Sequence, residues 1–190
     1  DVPRGADMTA HELATLLGHA EAVGAFVEDR KGLERLLAAR PKLPRLRFAI
    51  VLDGDATRDG QFGLTIADVR ARGQSLVAGG DARVALTTGR LRADDLATII
   101  YTSGTSGDPK GVRLRHANLL HNVRTVPPLL EVRPDDTYLS ILPAWHAFER
   151  VIDYVVLAAG GAIAYSSPAR QILVRDLAAV DTGTLNSWEL

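Results

Sequence analysis

Hydrophobic residues along this chain change period repeatedly, from runs that suit a buried strand to spacings that suit a helix. Arg47 to Leu52 is an apolar run closed by Asp53-Gly54, the pattern of a strand covered on both faces. Thr9-Ala-His-Glu12 reads as a capping box ahead of Leu13, Leu16, Leu17 and Ala20 on one helical face. Val23 to Val27 is strand-like, and Leu33, Leu36 and Leu37 mark a second helix ended by Pro41 and Pro44. Thr65-Ile-Ala-Asp68 opens a helical pattern expected to stop near Gly73, and residues 79–92 have no period and read as an exposed crossing. Leu96 to Ile100 reads as a buried strand, followed after a loop by the strand-like Val112-Arg-Leu-Arg115. Asn118 to Leu130 reads as one helix, despite Pro127 and Pro128. Tyr138 to Leu142, Phe148 to Ala159 and Ala162 to Tyr165 repeat strand, helix, strand, and Gln171 to Val180 is a final helix. This alternation predicts an α/β fold with a mainly parallel sheet and helices on its faces.

Composition narrows the function classes. With 46% apolar and 24% charged residues, the 190-residue chain has an ordinary globular mix and enough length for a substantial core. A net charge of −1 argues against a nucleic-acid partner held by bulk electrostatics. Cysteine is absent, which excludes disulfides, zinc thiolates and thiol nucleophiles and suits a reducing cytosol. The five histidines form no metal motif. The longest apolar stretch, Tyr154 to Tyr165, falls short of the roughly 20 residues that span a bilayer.

Chemistry concentrates in Tyr101-Thr-Ser-Gly-Thr-Ser-Gly-Asp-Pro-Lys-Gly111. Four serine and threonine hydroxyls, three glycines and one lysine, set between strands, suit a loop that wraps the oxygens of a polyphosphate. Glycines let backbone N–H groups approach closely, hydroxyls add donors, and Lys110 adds a positive charge. The Walker A pattern is not met: Gly111 follows Lys110 where Ser or Thr is needed, and Pro109 precedes it. A fixed cradle at a helix N-terminus is therefore not expected at Lys110. A plain Ser/Gly linker is the alternative, but it explains neither the lysine behind proline nor the flanking strands.

Tyr101 through Val112 resembles the signature loop of the adenylate-forming superfamily, which includes acyl-CoA synthetases, luciferases and peptide-synthetase adenylation domains. The family usually has threonine where this chain has Ser106, and the hydroxyl is kept. The resemblance implies that Thr102, Ser103, Gly104, Thr105, Ser106, Gly107, Lys110 and Gly111 bind the ATP phosphates, with Thr102 a candidate Mg²⁺ ligand and Lys110 a catalytic cation. A second segment, Leu142-Pro-Ala-Trp-His-Ala-Phe-Glu-Arg150, reads by itself as a strand end, a Pro-marked turn and a helix start. There a histidine beside tryptophan is ordinarily a packed residue. It resembles the motif lining the acyl pocket, and its His-Ala-Phe-Glu-Arg form resembles the long-chain fatty acyl-CoA synthetase branch. The resemblance places His146 where carboxylate meets α-phosphate and Trp145 near the acyl tunnel, with Glu149 and Arg150 structural. Asp1 to Asp7 and Ala25 to Arg30 are similar to that branch too, whereas residues 54–92 show no likeness.

The resemblance implies that residues 1–180 belong to the large N-terminal AMP-binding domain, that 181–190 is an atypical tail, and that the C-terminal domain is absent. The implied parent is a cytoplasmic long-chain fatty acid–CoA ligase using ATP, Mg²⁺ and CoA, with peripheral membrane association and homodimerisation left open. The fragment alone is expected to be inactive, because adenylation needs cationic donors from several segments. Three readings compete: a fatty acyl-AMP ligase or carrier-protein-loading domain, a non-catalytic nucleotide-binding or assembly module, and a structural fragment.

Overall fold

The computed structural model describes residues 1–56, 62–102 and 109–180. Its contacts divide into two units, one made of residues 2–91 and 101–110, the other of Asp1, 92–100 and the chain from 111 onward.

In the first unit, α1 (Ala10–His19) opens on the expected capping box. Thr9 Oγ1 accepts from the Glu12 N–H (3.3 Å), and Glu12 Oε2 accepts from the Thr9 N–H (2.8 Å). Next come β1 (Gly24–Val27) and α2 (Arg30–Ala39), whose N-cap Asp29 accepts from the Gly32 N–H at 2.9 Å. A 3₁₀ turn at Arg40–Lys42 ends α2 at Pro41, which has no N–H to continue the helix. With β2 (Phe48–Val51) and β3 (Gly63–Thr65), β1 forms a parallel sheet in the order β1-β2-β3, with Phe26 opposite Ile50 and Ile50 opposite Leu64. Ala49 and Val51 meet Leu33, Leu36, Ala39, Leu43, Leu46 and Phe62 in one core, where Leu33 and Leu36 are fully buried.

Two expectations are corrected here. The helix expected to end near Gly73 is α3 (Ile66–Ala78), capped by Thr65 and Asp68 and continuing past that glycine to Gly79-Gly80. A lone glycine costs a helix only about 1 kcal/mol, which does not stop it. Residues 79–92, expected to be irregular, contain α4 (Arg83–Thr88), started by Asp81 accepting from the Arg83 N–H at 2.8 Å.

Beyond these lie β4 (Leu96–Thr102) and β5 (Lys110–Arg115), a two-stranded sheet whose residues are shared between the units. The second unit continues with α5 (His116–Thr125), α6 (Pro127–Leu130), β6 (Thr137–Ser140), α7 (Ala147–Ala159), β7 (Ala162–Tyr165) and α8 (Arg170–Ala179). The single helix expected over 118–130 is thus two, because Pro127 and Pro128 have no N–H with which to continue the ladder of α5. β6 and β7 pair in parallel from Thr137 opposite Ala162 to Ser140 opposite Tyr165. Tyr138, Ile152 and Val156 form the core there, with Leu130, Val132 and Ile163 against it. Between α7 and β7, Gly160 takes a left-handed φ of 87° and Gly161 passes so close to the Asp136 carbonyl that a Cβ would lie 2.9 Å from it. The α/β class with parallel strands holds, although among the described residues the strands form three small sheets rather than one.

Candidate active site

β4 leads into the Ser/Thr/Gly-rich segment. Thr98 and Ile100 are buried, and Tyr101 is held on three sides within the first unit. Its hydroxyl lies 2.5 Å from His19 Nδ1 and 3.4 Å from the Leu16 carbonyl, its ring meets the His19 ring edge-on, and its carbonyl accepts from Arg4 Nη1 at 3.1 Å. Burial pushes the Tyr101 phenol pKa up from its ordinary value. Beyond this anchor, Thr102 is exposed at the end of β4, and Lys110 is exposed as the first residue of β5, with Gly111 next. Lys110 makes no ion pair among the described residues. Paired strands therefore present a hydroxyl and an ammonium at the two ends of the intervening segment. Ser103, Gly104, Thr105, Ser106 and Gly107 lie outside the described residues, as does the tail 181–190.

The second group is built around the start of α7. The His146 N–H donates to the Pro143 carbonyl at 2.7 Å, forming the turn read from Pro143. His146 is the N-cap, and its Nδ1 accepts from the Phe148 N–H at 3.3 Å. That bond requires Nδ1 without a proton and leaves Nε2 of an exposed ring for a ligand. Trp145 is also partly exposed, at 37%. Thr102 and Lys110 belong to the first unit; Gly111, Trp145 and His146 belong to the second.

The residues read as structural behind His146 are anchors. Glu149 is completely buried, and its Oε2 accepts from the Tyr138 hydroxyl on β6 at 3.1 Å. Arg150 reaches Asp1 Oδ2 (2.6 Å), the Tyr154 hydroxyl (3.0 Å) and Thr98 Oγ1 (3.4 Å). Sequence reasoning did not single out Arg4 and His19 as supports of Tyr101, since the likeness of Asp1 to Asp7 gives Arg4 no role, His19 sits in no motif, and both are more than 80 positions away from it. It also passed over Asp153, which reads as an ordinary polar position of an amphipathic helix.

A model of the family described as AMP-binding enzyme matches residues 1–185. The chain belongs to the AMP-binding enzyme family. Among its relatives, the chloroplastic long-chain-fatty-acid–[acyl-carrier-protein] ligase AEE15 of Arabidopsis thaliana is 34% identical over 176 residues, covering 88% of this chain and 24% of the relative. Long chain acyl-CoA synthetase 3 of the same plant is 32% identical over 190 residues, covering 94% and 28%. Among solved structures, the anthranilate CoA ligase AuaEII in complex with anthranoyl-AMP superposes with a TM-score of 0.68 at 17% identity, covering 93% of this chain and 32% of that one. The chain thus spans about a quarter of the length of these curated relatives. Its fold is that of part of an adenylate-forming enzyme's N-terminal domain.

Proposed function

We propose that this chain is part of an ATP-dependent long-chain fatty acid–CoA ligase and supplies the loop that holds the triphosphate. The observation that carries the reading is the pairing of β4 with β5, which sets Thr102 and Lys110 at either end of the Ser/Thr/Gly-rich segment. A fatty carboxylate oxygen attacks the α-phosphorus of ATP, the bond to the β-phosphate breaks, and acyl-AMP and pyrophosphate form. The CoA thiol then attacks the acyl carbon, loses its proton, and AMP leaves.

Lys110 neutralises charge on the β- and γ-phosphates as pyrophosphate departs, and Ser103, Gly104, Thr105, Ser106, Gly107 and Gly111 line the same phosphates. The family resemblance supports assigning His146 to the place where carboxylate meets α-phosphate and Trp145 to the acyl chain. Magnesium, when bound, spreads the charge of the triphosphate. Thr102 offers it one neutral oxygen, and among the described residues no group of three or more His, Asp or Glu converges on a metal. Most of its ligands therefore come from phosphate, water and other segments of the parent. The parent is cytoplasmic in this reading, with peripheral membrane association and homodimerisation as open variants. No helix among the described residues is long and apolar enough to cross a membrane.

The acyl-carrier-protein ligase among the relatives favours a second reading of the last step, in which a carrier thiol replaces CoA. Fatty-acid-driven AMP release by the full-length parent with CoA, and separately with a carrier protein, distinguishes the two. Release with CoA alone supports the ligase first proposed; release with the carrier alone overturns it.

A further inference from the structure

Beneath the first turns of α7 lies a polar cluster that the adenylation reading leaves unused. Glu149 is fully buried and Asp153, one helical turn later, is partly buried. Glu149 Oε2 is occupied by the Tyr138 hydroxyl. Glu149 Oε1 and Asp153 Oδ1 are both shielded from solvent, and neither meets a donor. Buried carboxylate oxygens normally have donors or a cation, because burial strips water from the charge and nothing else replaces it.

Among the described residues no cation pairs with either oxygen. β6 contributes Tyr138, and β7 contributes only Tyr165, which is exposed. α6 has no titratable side chain. His116, His121 and Arg124 on α5 make no hydrogen bond or ion pair with either carboxylate. On α7 itself, Arg150 is committed to Asp1, Tyr154 and Thr98. Two like charges one turn apart in such a place repel at low dielectric.

We propose that Glu149 and Asp153 share one proton in the folded chain at pH values where a solvated pair of carboxyl groups would have lost both, because their two donorless oxygens are shielded from water on adjacent turns of α7. The cluster then acts as a protonation-dependent seat for α7. With the proton in place, the Tyr138–Glu149 bond fixes the helix to β6; without it, a second buried charge works against that contact. Burial pushes the Asp153 carboxyl up from its ordinary value, with the charge of Glu149 adding to the effect. Burial, then the charge and hydrogen bond of Glu149, do the same to the Tyr138 phenol.

Carbon-detected NMR titration of the Asp and Glu carboxyl groups in the 190-residue chain tests this. The expected result is an Asp153 midpoint above that of an unperturbed aspartate, moving down in Glu149→Gln, where the neighbouring charge is gone. Asp153→Asn is expected to flatten the loss of thermal stability that the unsubstituted chain shows as pH rises. If Glu149→Gln does not fold, the wild-type titration and Asp153→Asn decide. An ordinary Asp153 midpoint in the wild type overturns the proposal, as does a midpoint unmoved by Glu149→Gln or an Asp153→Asn stability profile that follows the wild type.

Discussion

Tyr138 shows how one hydroxyl connects packing to chemistry. Its ring is part of the second unit's core and its oxygen serves a buried carboxylate. Tyr138→Phe keeps the ring but leaves Glu149 Oε2 without a donor, so urea denaturation at pH 7 is expected to show a loss of about 1–3 kcal/mol. An unchanged midpoint would mean that another donor reaches the carboxylate. The pH dependence has a definite sign. Asp153 binds its proton more tightly folded than unfolded, so its contribution is fully present below the unfolded aspartate value of about 3.9 and is lost as pH rises through the raised folded value. Tyr138 follows the same sign higher up: its contribution is complete below about 10, the unfolded phenol value, and is lost above it. Thermal melts from pH 4 upward should therefore show stability from this cluster declining with pH. Glu12 and Asp68 run oppositely, since backbone and side-chain hydrogen bonds from Thr9 and Thr65 hold them below their ordinary values. The caps they serve weaken as pH falls through those lowered values.

At the scale of elements, legibility followed the strength of the local signal. Capping boxes at Thr9 and Thr65 announced α1 and α3, because reciprocal hydrogen bonds depend on residues only three apart. β2 and β4 were visible as apolar runs. β3 was not, since three residues show no alternation, and its place beside β2 is set by long-range pairing. The break between α5 and α6 was written in Pro127 and Pro128, but the apolar pattern around them argued for a longer helix. The signature segment stood out by its residues, while the anchor that precedes it did not: Tyr101 is tied to His19 and Arg4 by contacts that no spacing encodes. The core under β2 is a further check. Leu33→Ala removes a fully buried side chain from α2 and is expected to cost about 2–5 kcal/mol in chemical denaturation. A cost below 1 kcal/mol would contradict the packing of α2 on this sheet.

At the scale of the whole molecule, Thr102 and Lys110 fall in one unit and Trp145 and His146 in the other, in a chain spanning about a quarter of its relatives' length. Adenylation brings a carboxylate against a triphosphate, and one lysine with a row of hydroxyls does not offset that repulsion. The 190-residue chain is therefore expected to show no fatty-acid-driven pyrophosphate exchange above a Lys110→Ala control. Exchange above that control would mean that these residues form a complete site. The most direct test of the central claim uses the full-length parent. Fatty-acid-dependent ATP–pyrophosphate exchange is measured for wild type and Lys110→Ala, with fatty-acid binding followed in the same samples. The account predicts exchange reduced by about a hundredfold or more, as for loss of one charge-stabilising donor, with binding nearly unchanged. Equal exchange in the two proteins, or exchange and binding lost together, would contradict it.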